Sequence, residues 1–175
     1  MPDINADMAR DETWFRSLHA RSAENVTRYA LRRAASRADA EDAVSETFLV
    51  AWRRRADVPE PPEDVLWLYG VARRALANVD RGGRRLERLR ARLASEPSLV
   101  AEEPFGDDAS HAVRAALSDL SELDAEVLRL LVWEGLSHRE AAAVLESTEN
   151  AVALRASRAR KRLRELVTDR TAGRT

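Results

Sequence analysis

The stretch "SHREAAAVLESTENAVALRASRARKRL", residues 137–163, constrains the fold more than any other. Ser137 and Glu140 stand at the spacing of a capping box, in which each side chain satisfies a backbone N–H of the other. Glu146, Ser147 and Thr148 then interrupt the helical pattern, and a second one starts with Thr148 as its cap. Ala142, Val144, Leu145, Val152, Ala156 and Ala159 are small or apolar where two such helices must meet closely. Two short helices crossing over so brief a break make a helix-turn-helix, whose second helix can enter a major groove.

On that second helix the groove-facing positions are Glu149, Asn150, Ala153, Leu154, Arg155, Ser157 and Arg158. Arg155 can pair bidentately with guanine and Asn150 with adenine, while Arg160 and Lys161 lie lower and suit phosphates. The capped turn leaves backbone N–H groups near Ser137, together with Arg139, available to a phosphate. The plainer reading is a three-helix bundle with a basic, solvated face. The caps, the break length and the arginine placement together agree better with DNA binding.

The rest of the chain also reads as helix, so the expected fold class is all-α. Ser121 and Asp124 make a start signal for "AEVLRLLVW", which Gly135 stops. Residues 14–35 carry Trp14, Phe15, Leu18, Val26, Tyr29 and Ala30 at helical spacing. Asp39 is the expected cap of the next helix, with Ala43, Val44, Thr47, Phe48, Ala51 and Trp52 as its apolar stripe. "DVPEPPED" (57–64) is a loop, and the helix after it, with Trp67, Leu68, Val71 and Ala75 inward, is expected to end near "DRGG". Phe48, Trp52 and Trp67 share the apolar register and are read as core. Prolines and acids at 94–110 predict a linker between a domain over 14–93 and a second over 111–167, with tails at 1–13 and 168–175.

A net charge of −1 conceals segregation. Residues 81–93 carry six arginines and one glutamate, residues 95–110 five acids and no base, and "RASRARKRLR" is basic again. Two basic surfaces held apart by an acidic segment suit a polyanion partner. The absence of cysteine excludes a disulfide scaffold and thiolate metal sites. The acidic N-terminus does not resemble a signal peptide, and no apolar run is long enough for a membrane span, so a cytoplasmic protein without membrane insertion is expected. His19, His111 and His138 are scattered, and no nucleophile, base and orienter assemble. Neither an enzyme, a cofactor nor a metal site is therefore expected.

Residues 121–163 resemble the C-terminal promoter-reading domain of bacterial sigma factors. "DAEDAVSETFLVAWR" (39–53) resembles the family's polymerase-binding helix, and "WLYGVARRALANVDRGGRR" (67–85) the helix that follows it. With room for only the sigma-2-like helix bundle and the sigma-4-like helix-turn-helix, the chain resembles the extracytoplasmic-function class. The resemblance implies a factor that binds core RNA polymerase, through its largest-subunit clamp helices and its flap, and directs it to promoter DNA. It implies polymerase contacts at Asp39, Glu41, Asp42, Glu46 and Arg53, and contacts with the −10 element at Arg73, Arg74, Asn78, Arg81, Arg84 and Arg85. It further implies −35 contacts at Ser137, Arg139, Glu149, Asn150, Ala153, Arg155, Ser157, Arg158, Arg160 and Lys161, and an anti-sigma partner. The loop before residue 67 is expected to line a pocket for an unstacked base, with Glu63 or Asp64 bonding its edge. The chain departs from the family pattern at Ser45, Arg74, Asn78 and Glu146; glutamate at the last position puts a side chain where the turn favours glycine. The alternative reading is a stand-alone helix-turn-helix regulator with residues 14–85 as a dimerisation or sensor domain.

Overall fold

The computed structural model describes residues 10–93 and 115–172, with residues 82–93 and 170–172 described by backbone alone. The described residues are helical, without strands, and fall into two compact units. The proposed linker at 94–110 lies outside them.

The first unit is three mutually packed helices, α1 (Glu12–Leu31), α2 (Arg37–Arg53) and α3 (Glu63–Leu93). Asp11 caps α1 by accepting the Trp14 N–H at 3.0 Å, so the helix takes in the last two residues of the expected tail. Through 20–25, where the apolar pattern thins, the helix is unbroken; Ser22 is small and buried between Leu18 and Val26. Ser36, not Asp39, caps α2. Its hydroxyl accepts the Asp39 N–H at 3.1 Å and donates to the Asp39 carboxylate at 2.7 Å. Both residues suit a cap; the reciprocal bond puts Asp39 inside the first turn, where its charge still favours the helix dipole.

The core of this unit forms where Tyr29 stacks on Tyr69 with ring centres 4.7 Å apart, among Leu18, Val26, Ala43, Phe48, Leu68 and Ala72. Each fully buried leucine, valine or phenylalanine contributes about 1.5–3 kcal/mol by leaving water. The proline loop is shorter than expected: a 3₁₀ turn spans Arg55–Asp57, and α3 already begins at Glu63. Helix α3 does not end near residue 80 but continues to Leu93. Two interior glycines cost about 1 kcal/mol each, and the leucines, arginines and glutamate around them are strong enough helix formers to carry the helix through.

The second unit comprises a helical turn at 115–118 and helices α4 (Glu122–Val132), α5 (His138–Val144) and α6 (Glu149–Ala172). Helix α6 takes in residues 168–172 of the expected tail, so the helix outlasts its apolar seam. Leu117, Leu128 and Ala159 form one apolar cluster, with Leu120, Trp133 and Leu163 packed on it. Gly135 takes φ +68°, a conformation that costs glycine little, and turns the chain from α4 into α5. Among the described residues no helix is long and apolar enough to cross a membrane.

Candidate nucleic-acid and polymerase interfaces

The helix-turn-helix is built by local chemistry. The Ser137 hydroxyl accepts the Glu140 N–H at 3.2 Å while the Glu140 carboxylate accepts the Ser137 N–H at 2.8 Å, completing the capping box. Backbone and hydroxyl donation from Ser137, ahead of the Arg139 charge, holds the Glu140 carboxyl below its usual range. Thr148 caps α6 by accepting the Ala151 N–H at 3.2 Å. Ala141, Ala142, Val144, Val152, Ala156 and Ala159 are buried where α5 and α6 pack together, and Leu145 is half-buried. In the turn, Glu146 takes φ +52°, so the chain accepts the left-handed strain that glycine would avoid.

Ser137, Arg139, Glu149, Asn150, Ser157, Arg158, Arg160 and Lys161 are exposed, and Ala153 and Arg155 are half-buried. The Arg155 guanidinium, expected to face guanine, donates to the Asp124 carboxylate on α4 at 2.8 Å. Burial alone would raise the Asp124 carboxyl; the Ser121 hydroxyl, the Arg155 bond and the Arg155 and Arg158 charges outweigh that and hold it below its usual value. Spacing along α6 carries no signal for this pair, because its acid lies on another helix. Leu154 is 53% exposed between the polar positions.

On α2, Asp42, Glu46 and Arg53 are exposed together with Ser45. Glu41 is exposed and pairs with Arg37 at 2.9 Å, while Asp39 is half-buried and engaged with Ser36. Leu49 and Trp52, 40% and 37% exposed, continue the same stripe. The expected core role holds for Phe48, which is buried, but not for Trp52, which lies edge-on to Phe15 at 5.4 Å with the Arg55 guanidinium over it. Leu49 escaped the sequence reading because an apolar residue beside an apolar stripe gives no sign of facing outward.

Along α3, Arg74, Asn78 and Arg81 stand exposed on one face, and the Arg81 guanidinium donates to the Asn78 amide oxygen. Arg73 is half-buried, and its Nε finds no hydrogen-bond partner among the described residues. The side chains of Arg84 and Arg85 lie outside the described ones. Trp67 is half-buried beneath the Arg54 guanidinium. Asp64 is not open to a base. It is 3% exposed and held by Arg21 of α1 through bonds of 2.9 and 2.8 Å, whereas Glu63 is exposed. Among the described residues no cluster of histidine, aspartate or glutamate is placed to hold a metal ion.

The chain thus has two compact helical units, with an acid-lined helix in the first and a capped helix-turn-helix in the second. Residues 18–86 match the family model for Sigma-70 region 2 and residues 110–163 the model for Sigma-70, region 4. The chain is 31% identical over 173 residues to the ECF RNA polymerase sigma factor SigL of Mycobacterium tuberculosis, covering 94% of each protein. It is 33% identical over 150 residues to the probable RNA polymerase sigma factor RfaY of Xanthomonas campestris pv. campestris, matching 79% of this chain but spanning only 36% of that protein's length. Among solved structures it is similar to CnrH in complex with the cytosolic domain of CnrY (26% identity, TM-score 0.64, 95% of this chain and 94% of that one). The fold is also that of RpoE from Bartonella quintana, in complex with the anti-sigma factor NepR (23% identity, TM-score 0.67, 88% of this chain and 96% of that one). The chain belongs to the sigma-70 family, within its extracytoplasmic-function class, whose members are transcription initiation factors and not enzymes.

Proposed function

We propose that this chain is a dissociable cytoplasmic initiation factor that binds core RNA polymerase, carries it to promoters with a −10 and a −35 element, and helps open the duplex. The observation that carries the reading is a cationic, capped helix-turn-helix in one unit and an exposed acidic and apolar stripe on α2 in the other. The stripe Asp42, Glu46, Leu49, Trp52 and Arg53, flanked by Glu41, is the surface for the clamp helices of the largest subunit. Opposite charge there raises the on-rate and fixes register, and the two apolar side chains contribute the contact that loses water.

Arg74, Asn78 and Arg81 are the −10 track, with Arg73 at its edge and Arg84 and Arg85 beyond it; cations there follow the phosphates of an unstacked strand. The second unit reads the −35 element and meets the polymerase flap. Ser137 and Arg139 take a phosphate, Asn150, Ser157 and Arg158 face the groove, and Arg160 and Lys161 hold the backbone. Glu149, Ala153 and Arg155 frame that surface, Arg155 by orienting α6. An anti-sigma partner covers these faces when the factor is silent; the complexes of similar fold support that reading.

Run-off transcription with core polymerase tests the proposal. Transcripts that begin at a defined site only when the chain is added are the expected result. Specific, tight promoter binding by the chain alone, without any polymerase-dependent transcript, would sink the reading in favour of a stand-alone regulator.

A further inference from the structure

The outer pole of α6 is a leucine. At about 100° per residue, a helix places positions i−4, i+3, i+4 and i+7 within roughly 60° of position i. Counted from Leu154 these are Asn150, Ser157, Arg158 and Lys161, all of them exposed. The buried Val152, Ala156 and Ala159 fall on the far side of the helix, and the half-buried Ala153 and Arg155 lie between. A helix held to its own unit by such a seam presents the opposite pole to the floor of a groove. The residue that meets base edges most directly is therefore Leu154, while Arg155 stays with Asp124.

The major groove displays hydrogen-bonding atoms at every base pair and one apolar group, the C5-methyl of thymine. A leucine brings no donor or acceptor, and covering a polar edge with it removes water without replacement. We infer that Leu154 is a specificity-determining residue that reads the C5-methyl group of a thymine in the −35 element. The inference rests on the initiation-factor reading above. A lone exposed leucine is ordinary on a protein surface; this one sits at the centre of a polar field. Protein partners dock on clustered apolar anchors, whereas a single methyl among hydrogen-bonding edges calls for one apolar contact flanked by polar ones, the pattern Asn150–Leu154–Arg158 supplies. Asn150 and Arg158, one turn to either side, fix the register in which the methyl is met.

The test uses holoenzyme reconstituted from core polymerase and the full chain, on promoters randomised in the upstream element. Each thymine that the wild type selects is replaced by deoxyuridine, which keeps every hydrogen-bonding atom and removes only the methyl. The expected result is one position at which deoxyuridine lowers initiation about fourfold, the value of one methyl group leaving water, and at which Leu154→Ala holoenzyme starts equally from both templates. A Leu154→Ala holoenzyme that keeps the methyl penalty, or a wild type that shows none anywhere, overturns the inference. Defined starts without a methyl effect overturn the leucine assignment alone; no defined start on any template overturns the initiation-factor reading with it. Equal thermal midpoints for wild type and Leu154→Ala establish that the exposed side chain does not act through the fold.

Discussion

Arg155 of α6 and Asp124 of α4 are joined by a 2.8 Å ion pair across 31 positions of sequence, fastening the second helix of the motif to the helix that precedes it. A partly exposed pair of this kind contributes about 0.5 kcal/mol, and its larger effect is on orientation. Arg155→Ala and Asp124→Ala should lower the thermal midpoint of the second unit by similar small amounts, with the double variant adding little to either. Both should reduce initiation from promoters that depend on the −35 element. If Arg155→Ala abolishes initiation while Asp124→Ala leaves it untouched, the arginine reads DNA and the pair is incidental.

Glu146 holds a left-handed turn at φ +52°. Glycine adopts that conformation without a Cβ penalty, so Glu146→Gly should stabilise the second unit by about 1 kcal/mol. That corresponds to roughly 4 °C in its thermal midpoint. Glu146→Ala keeps the Cβ and should bring no such gain. Equal midpoints for the glycine and alanine variants would show that the turn stores no strain.

Asp64 is buried, and its carboxylate accepts bonds from the Arg21 guanidinium and the Val65 N–H, all of which its removal would break. Asp64→Ala should destabilise the first unit by about 2 kcal/mol, as read by denaturant unfolding, while Glu63→Ala one position earlier should change little. A silent Asp64→Ala would mean that the pair is solvated and does not hold the start of α3.

How much of this was readable from residues alone depends on distance along the chain. The capping box, the Ser121 start and the Thr148 cap each join residues three positions apart, and spacing reveals them. The choice between Ser36 and Asp39 was not readable, because both residue types cap and only the folded turn decides which accepts the N–H. Arg21 with Asp64 and Arg155 with Asp124 are 43 and 31 positions apart, and no local pattern foretells such partners. Two glycines after residue 81 read as a stop for α3, although their cost is local and the residues beyond them favour helix.

The acid limit of the second unit follows from two carboxylates. Glu140 and Asp124 both titrate below their ordinary values. A depressed carboxyl contributes stability above its unfolded value, near pH 4, and the contribution is lost as pH falls through the lower folded value. The midpoint of the second unit should be level near neutrality and fall below about pH 4. Glu140→Gln should lower the plateau and shallow the fall. An unchanged acid profile in that variant would remove the capping carboxylate from the account.

Free in solution, a chain of net charge −1 has little uncompensated cation to offer DNA. Promoter binding by the isolated protein should be weak, and binding as holoenzyme strong. Lys161→Ala should weaken holoenzyme binding evenly across sequences and reduce the salt dependence by about one phosphate contact. A change in sequence preference would move Lys161 from the backbone to the bases.

The caps at Asp11, Ser36, Ser121, Ser137 and Thr148 bear on how quickly the protein comes into being. Every helix start they mark is decided by neighbours three residues away, and each unit completes its core from its own stretch of chain. Such local topology is of the fast-folding kind, and all three helices of the first unit precede the second unit along the chain. The main phase of stopped-flow refolding should therefore be complete within milliseconds; a main phase lasting seconds would contradict this.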